Sequence, residues 1–145
     1  MRYFLGLLAT CLALPAVAAA PTYADMIGTW RVAAVAVNSD GMQALQIDDP
    51  QFMGAVVQFS ADKIVWLKGT PARAIDPAAD NCEGAPRLTP AVARNPETIF
   101  QVDGGFNVVC GVTGWGPGAV IRPVDAGTVD LYWYDNGVLT LKRDK

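Results

Sequence analysis

Apolar and polar positions alternate most clearly near the C-terminus, over residues 128–143 on both sides of Asp135-Asn136-Gly137. Alternation with a period of two, interrupted by turn residues, predicts a β-hairpin. A two-residue loop at Asn136-Gly137 would mix apolar and polar side chains on both faces. A three-residue loop over 135–137, with Gly137 left-handed, separates the faces, and we expect that register. It opposes Trp133 with Leu139 and Leu131 with Leu141, and it buries one face made of Val129, Leu131, Trp133, Leu139 and Leu141.

The same pattern predicts eight strands in all, joined mostly by tight turns. They cover 31–37, 54–59, 63–68, 98–102, 106–110, 119–123, 128–134 and 138–143. Short helical turns are expected at 21–27, from Asp49-Pro50 to Met53 and at Thr89-Pro90, since Asp caps a helix and Pro suits its first position. From Gly69 to Pro96, five prolines interrupt the pattern and predict a long irregular excursion.

Eight short strands with tight turns predict an all-β fold, a small antiparallel up-and-down barrel of about eight strands with short helical turns in its loops. A closed barrel removes the exposed sheet edges that would otherwise pair with other chains. Without the signal peptide expected at 1–18, about 127 residues remain, which is enough for one core but not for two, so a single domain is expected.

The first residues have the pattern of a secretory signal peptide. An apolar run over 3–14 follows Arg2 and leads into a series of small residues. Cleavage after Ala18 satisfies the small-x-small rule, so we expect 1–18 to be removed. Residues 19–145 then form the barrel domain, and the protein is expected to be periplasmic or secreted.

The cysteines also bear on where the protein is located. Leu8-Ala9-Thr10-Cys11 resembles a lipobox, so membrane association is expected only if Cys11 is lipidated; Thr10 and the short apolar run before it disfavour this alternative. Without Cys11 the mature chain retains Cys82 and Cys110. Export to an oxidising compartment favours one structural disulfide between them.

Charge and chemistry exclude several functions. Loss of Arg2 leaves ten basic against 14 acidic residues, and a net charge near −4 argues against a nucleic-acid partner. The chain has no histidine, so Ser-His and Cys-His nucleophile pairs and His-based metal sites are excluded. Asp48-Asp49 are adjacent, and a capping role explains Asp49 without chemistry. Asp76, Asp80 and Glu83 lack the alternating pattern of a calcium loop. We expect that the protein is not an enzyme and that it has no cofactor and no metal site.

Gly28-Thr29-Trp30 at the start of the first strand, with Arg143 on the inner side of the last, resembles the lipocalin-like (calycin) pattern. The resemblance implies that Trp30 stacks beneath the Arg143 guanidinium and closes one end of the barrel. A guanidinium over an indole gives a buried cation about 2 kcal/mol of stabilisation.

Two functions from different classes remain. A carrier would hold a small apolar ligand in the barrel interior or at its mouth. A periplasmic protein-binding module, such as an inhibitor of lysozyme type or an envelope-assembly factor, would use its loops. The two differ in interior volume, because a carrier needs a cavity of about 300 Å³ or more.

Trp115 offers a candidate contact for either function. Gly114 and Gly116 flank it and supply almost no side-chain surface to bury its indole. A disulfide from Cys110 would bring Glu83 and its loop beside it. We therefore expect a binding rim made of Trp115, Gly114, Gly116 and Glu83, with the alternative that Trp115 folds back as a plug of the barrel mouth.

Overall fold

A computed structural model describes residues 20–37, 45–67, 75–91, 104–116, 118–133 and 137–145. The expected signal peptide, the lipobox, the predicted strand at 98–102 and the tip of the C-terminal hairpin lie outside the described residues. The strands are β1 (Gly28–Val37), β2 (Val56–Phe59), β3 (Ile64–Trp66), β4 (Pro86–Pro90), β5 (Phe106–Cys110), β6 (Thr113–Gly114), β7 (Val120–Asp125), β8 (Thr128–Trp133) and β9 (Gly137–Arg143). A 3₁₀ turn covers Tyr23–Met26, and the one-turn helix α1 covers Pro77–Asp80.

The strands form one antiparallel sheet in the order β3-β2-β1-β9-β8-β7-β5-β4, and the short β6 pairs with β5. The sheet curls until its two edges nearly meet, so the predicted all-β barrel is confirmed. Of the three predicted helical turns, the one at 21–27 is confirmed as the 3₁₀ turn over Tyr23–Met26. Within the described ranges, no helix is long and apolar enough to cross a membrane.

Because neighbouring strands alternate in direction, the connections alternate between the two ends of the barrel. One end carries the 3₁₀ turn, the β2–β3 and β7–β8 turns and the C-terminus, and we call it the closed end. The other carries the β1–β2, β3–β4 and β5–β7 connections, and we call it the mouth.

The C-terminal hairpin has the predicted faces in a different register. Val129, Leu131, Trp133, Leu139 and Leu141 are all buried. The structure pairs Leu131 with Leu139 and Trp133 with Gly137, so the predicted partners are wrong by two residues. A shift by two keeps every side chain on its own face. The need to bury one face therefore predicts which side chains point inward. It does not distinguish between two registers that differ by two residues.

The excursion after β3 contains more regular structure than its prolines suggest. Strand β4 begins at Pro86 and ends at Pro90, where a helical turn was predicted. Proline is tolerated there because β4 lies at an edge of the sheet. The sequence prediction also missed α1, in which Asp76 caps the helix by accepting a hydrogen bond from the Ala78 N–H (2.9 Å).

The predicted helix from Asp49 to Met53 is instead a series of turns. The Asp49 carboxylate still accepts a hydrogen bond from the Gln51 N–H, at 2.9 Å. Asp49 therefore caps the backbone as expected, although no helix follows it.

The barrel closes where Cys82 meets β3. Cys82 and Ile64 exchange two backbone hydrogen bonds (2.8 and 3.0 Å), and the Trp66 N–H donates to the Asn81 side chain (2.9 Å). Cys82 is also bonded to Cys110, the last residue of β5, so the predicted disulfide is confirmed. The disulfide thus holds the segment that joins the two edges of the sheet.

Replacement of both Cys82 and Cys110 by serine should lower the free energy of unfolding by about 3.5 kcal/mol, because a loop of this length loses its entropic restraint. Denaturant unfolding of wild type and variant measures the loss. Wild type in reductant should match the variant. Two reactive thiols in the unreduced mature protein, or a loss below about 1 kcal/mol, would contradict the prediction.

Candidate functional site

Trp115 is fully buried, at 0% exposure, so the prediction of an exposed indole is wrong. Its backbone N–H donates to the Val108 carbonyl (2.9 Å), and its Nε1 donates to the Asp80 carbonyl (2.6 Å). Gly116 follows with φ +50°, and a Cβ there would lie 2.8 Å from the Trp133 ring. The glycine therefore allows the chain to turn closely over Trp133, and the alternative, Trp115 as a plug of the mouth, is the one observed.

The indole of Trp115 completes an aromatic column inside the barrel. Its ring centroid lies 5.0 Å from Trp133, 5.8 Å from Phe59 and 6.4 Å from Trp66. Phe59 in turn lies 6.5 Å from Trp30. These are edge-to-face and stacked distances that stabilise aromatic pairs. The column therefore runs from the mouth to the closed end and occupies the interior between them.

Arg143 caps this column at the closed end. Its guanidinium carbon lies 4.2 Å from the centroid of the Trp30 ring, so the contact expected from the sequence is present. The guanidinium donates to the carbonyls of Asp25 (2.7 Å), Ile27 (2.7 Å) and Ala126 (3.3 Å). Backbone carbonyls thus accept hydrogen bonds from the inward-facing guanidinium. These bonds hold the 3₁₀ turn and the β7–β8 turn against β9.

Tyr23 fixes the 3₁₀ turn from its other side. Its hydroxyl donates to the Ser60 carbonyl (2.9 Å), and its ring lies 6.3 Å from Phe59. Burial raises the pKa of Tyr23 well above its ordinary value, and the nearby Asp62 carboxylate raises it further. The residue is therefore neutral in its structural role.

At the mouth, the predicted rim residues Gly114, Gly116 and Glu83 are exposed while Trp115 is not. The side chain that projects there is Val112, which is 97% exposed and was missed by sequence reasoning. It lies in a two-residue turn, Gly111-Val112, between the paired residues Cys110 and Thr113. We call residues 110–114 the mouth hairpin. The available signal in the sequence was a tight turn at Gly111-Val112, directly after the strand predicted at 106–110.

Three contacts brace the mouth hairpin. The disulfide holds its base at Cys110. An Arg87 Nη donates to the Gly111 carbonyl (2.9 Å). The backbone at Gly84 approaches so closely that a Cβ there would lie 3.0 Å from the Gly111 nitrogen. The exposed valine is therefore carried by a fixed backbone, and Glu83 adjoins it through Gly84.

The β1–β2 connection forms another ordered part of the mouth. Asp48 has φ +49°, and its carboxylate accepts from the Val35 N–H (3.0 Å). The buried Asp49 carboxylate accepts from the N–H groups of Gln46 (3.2 Å) and Gln51 (2.9 Å). The two carboxylates thus organise the turn that exposes Ile47 (72%). In the described part of the chain, no three acidic or cysteine side chains are arranged to hold a metal ion.

No protein-family model, curated protein or solved structure matches this chain. The lipocalin-like resemblance therefore rests on Gly28-Thr29-Trp30 and Arg143, together with the barrel itself.

Replacement of Arg143 by alanine should lower the free energy of unfolding by about 2–3 kcal/mol, because the Trp30 contact and three hydrogen bonds are lost. Arg143→Lys should recover part of this, since it keeps the charge without the planar fork. Arg31→Ala is the control at the same end, because its ion pair with the half-buried Asp144 and its hydrogen bond to the Gly54 carbonyl (3.2 Å) are accessible to solvent, and their loss should cost at most about 1 kcal/mol. A loss below about 0.5 kcal/mol for Arg143→Ala would contradict the proposed closure role.

A second prediction separates the hydrogen bond of Trp115 from its packing. Trp66 is equally buried, but its Nε1 has no hydrogen-bond partner among the described residues. Trp115→Phe and Trp66→Phe remove the same ring volume, yet only the former leaves the Asp80 carbonyl without its donor. Trp115→Phe should therefore destabilise the fold by about 1 kcal/mol more in denaturant unfolding. Equal losses would show that the Asp80 bond contributes little.

Proposed function

We propose that this protein is a non-catalytic protein-binding module of the periplasm or extracellular space. It uses a lipocalin-like barrel as a rigid scaffold and recognises its partner through the mouth hairpin. The observation that carries the proposal is the braced hairpin 110–114, which presents Val112 almost completely exposed.

The interior of the barrel favours this function over a small-ligand carrier. A carrier needs about 300 Å³ of free space for an apolar ligand. Trp30, Phe59, Trp66, Trp115 and Trp133 lie in a continuous series of ring contacts where such a ligand would bind. The protein's own side chains take the position of a cargo, so recognition is expected on the outside.

The mouth hairpin has the properties of a recognition loop. A rigid loop loses little conformational entropy on binding, and this raises its affinity. An isolated exposed valine is common on protein surfaces, so exposure alone would not distinguish Val112. What distinguishes it is that a disulfide, a side-chain hydrogen bond and a close backbone contact all converge on the mouth hairpin.

The acidic residues near the mouth support a non-catalytic function. Asp48, Asp49 and Asp76 accept hydrogen bonds from backbone N–H groups and thereby hold turns and the start of α1. A capping role accounts for each carboxylate, and a paired general acid and base is not required to explain them.

Val112→Asp should weaken binding of the partner at least about tenfold, because it puts a charge into an apolar contact. Val124→Asp is the matched control, since Val124 is also exposed (56%) but lies next to the β7–β8 turn at the closed end. Native mass spectrometry of mature protein purified from its own periplasm measures both. Wild type and Val124→Asp should carry a bound protein that Val112→Asp lacks.

Two outcomes would overturn the proposal. A small apolar molecule bound to wild type would favour the carrier. A protein complex that survives Val112→Asp unchanged would remove the hairpin from the interface. Unfolding curves of the three proteins should coincide, because both valines are exposed.

A further inference from the structure

The two ends of the barrel differ in charge. The described parts of the mouth connections contain five carboxylates, those of Asp48, Asp49, Asp76, Asp80 and Glu83, and no lysine or arginine. Arg87 reaches the mouth from β4, where it binds the Gly111 carbonyl. In its described part, the closed end carries the four acidic residues Asp25, Asp62, Asp125 and Asp144 against the five basic residues Arg31, Lys63, Lys142, Arg143 and Lys145. Among the described residues, negative charge is thus concentrated at the end that presents the mouth hairpin.

Three of the mouth carboxylates face solvent, those of Asp48, Asp76 and Glu83. The ion pairs among the described residues are Arg31–Asp144 and Arg122–Asp130, and neither involves these three. Glu83 directly precedes Gly84, and the backbone of Gly84 packs against Gly111 of the mouth hairpin. A partner that receives Val112 therefore approaches the backbone segment that carries Glu83.

The backbone at the mouth also allows close approach. Gly114, Gly116 and Gly118 are all exposed, so no side chain from these positions holds a partner away. A protein surface that docks there meets exposed backbone, the exposed side chains of Val112 and Ile47, and the carboxylates at the same end of the barrel. Complementary charge across such a contact raises the association rate and disfavours partners of the same sign.

We infer that the partner is a basic protein with a small apolar pocket for Val112. This inference rests on the proposed function and names the chemistry of the partner of that same hairpin. Val112 supplies the contact that excludes water, while Glu83 and the other mouth carboxylates select a positively charged surface around the pocket. An acidic protein would meet charges of the same sign at the same place.

The test uses the mature protein, immobilised through its C-terminus at the closed end. Periplasmic extract is divided by ion exchange into a basic and an acidic pool, and each pool is passed over the protein. Only proteins displaced by soluble wild type are counted. The variants are Glu83→Lys at the mouth and Asp62→Lys in the β2–β3 turn, which change the net charge equally at opposite ends, together with Val112→Asp and Val124→Asp.

We expect the displaced protein to come from the basic pool. Glu83→Lys should reduce its affinity about tenfold, Val112→Asp should abolish capture, and both closed-end variants should bind like wild type. Raising the salt concentration from about 0.05 to 0.5 M should weaken wild type more than Glu83→Lys, because salt screens exposed charges.

Other outcomes separate the two levels of the proposal. Capture from the acidic pool that depends on Val112 but is unchanged or strengthened by Glu83→Lys would overturn the basic partner and leave the hairpin interface intact. Equal capture by Val112→Asp and Val124→Asp would overturn the proposed function itself. Absence of any displaced protein from both pools would overturn both. Thermal unfolding of each variant confirms that it is folded.

Discussion

The packing of Trp115 inside the barrel is the interaction on which the rest of the structure depends. A small barrel has an interior that side chains must fill, since a void loses both dispersion contacts and transfer free energy. Trp115 comes from an irregular glycine-containing segment, yet it touches Phe59 of β2, Trp66 of β3 and Trp133 of β8. One side chain thus joins strands from different parts of the sheet. Its bond to the Asp80 carbonyl also ties the β5–β7 connection to the end of α1.

Closure of the sheet is the second constraint, and its solution also shapes the candidate site. Among the described residues, one isolated bridge, Ile64 with Cys82, joins the edge strand β3 to the segment that leads into the other edge strand, β4. The disulfide from Cys82 to Cys110 reinforces this place and at the same time fixes the base of the mouth hairpin. Stability of the barrel and rigidity of the proposed recognition loop therefore have a common origin. A carrier would need an open interior, whereas this arrangement joins a filled interior to an ordered rim.

The two ends of the barrel use their charges differently. At the closed end, Arg143 lies over Trp30 and is bound by backbone carbonyls, which is the arrangement that a lipocalin-like resemblance implies. Common ancestry with that family stays a proposal, because no comparison with known proteins gives a match. At the mouth, carboxylates hold backbone N–H groups and leave negative charge exposed around the hairpin. In the proposed function, structural and recognition roles therefore divide between the ends.

The sequence by itself determined which side chains of β8 and β9 face inward, because alternation with a period of two depends only on the local backbone. It also determined the disulfide, since only Cys82 and Cys110 remain after the expected signal peptide. Tertiary structure decided the hairpin register, which parity leaves open to a shift by two. It decided that β4 begins at Pro86 and ends at Pro90, because at an edge of the sheet a proline can do without a backbone N–H on the outer side. It decided above all that Trp115 is buried and Val112 exposed, because the residues that surround an indole come from distant strands and leave no trace in its neighbours along the chain.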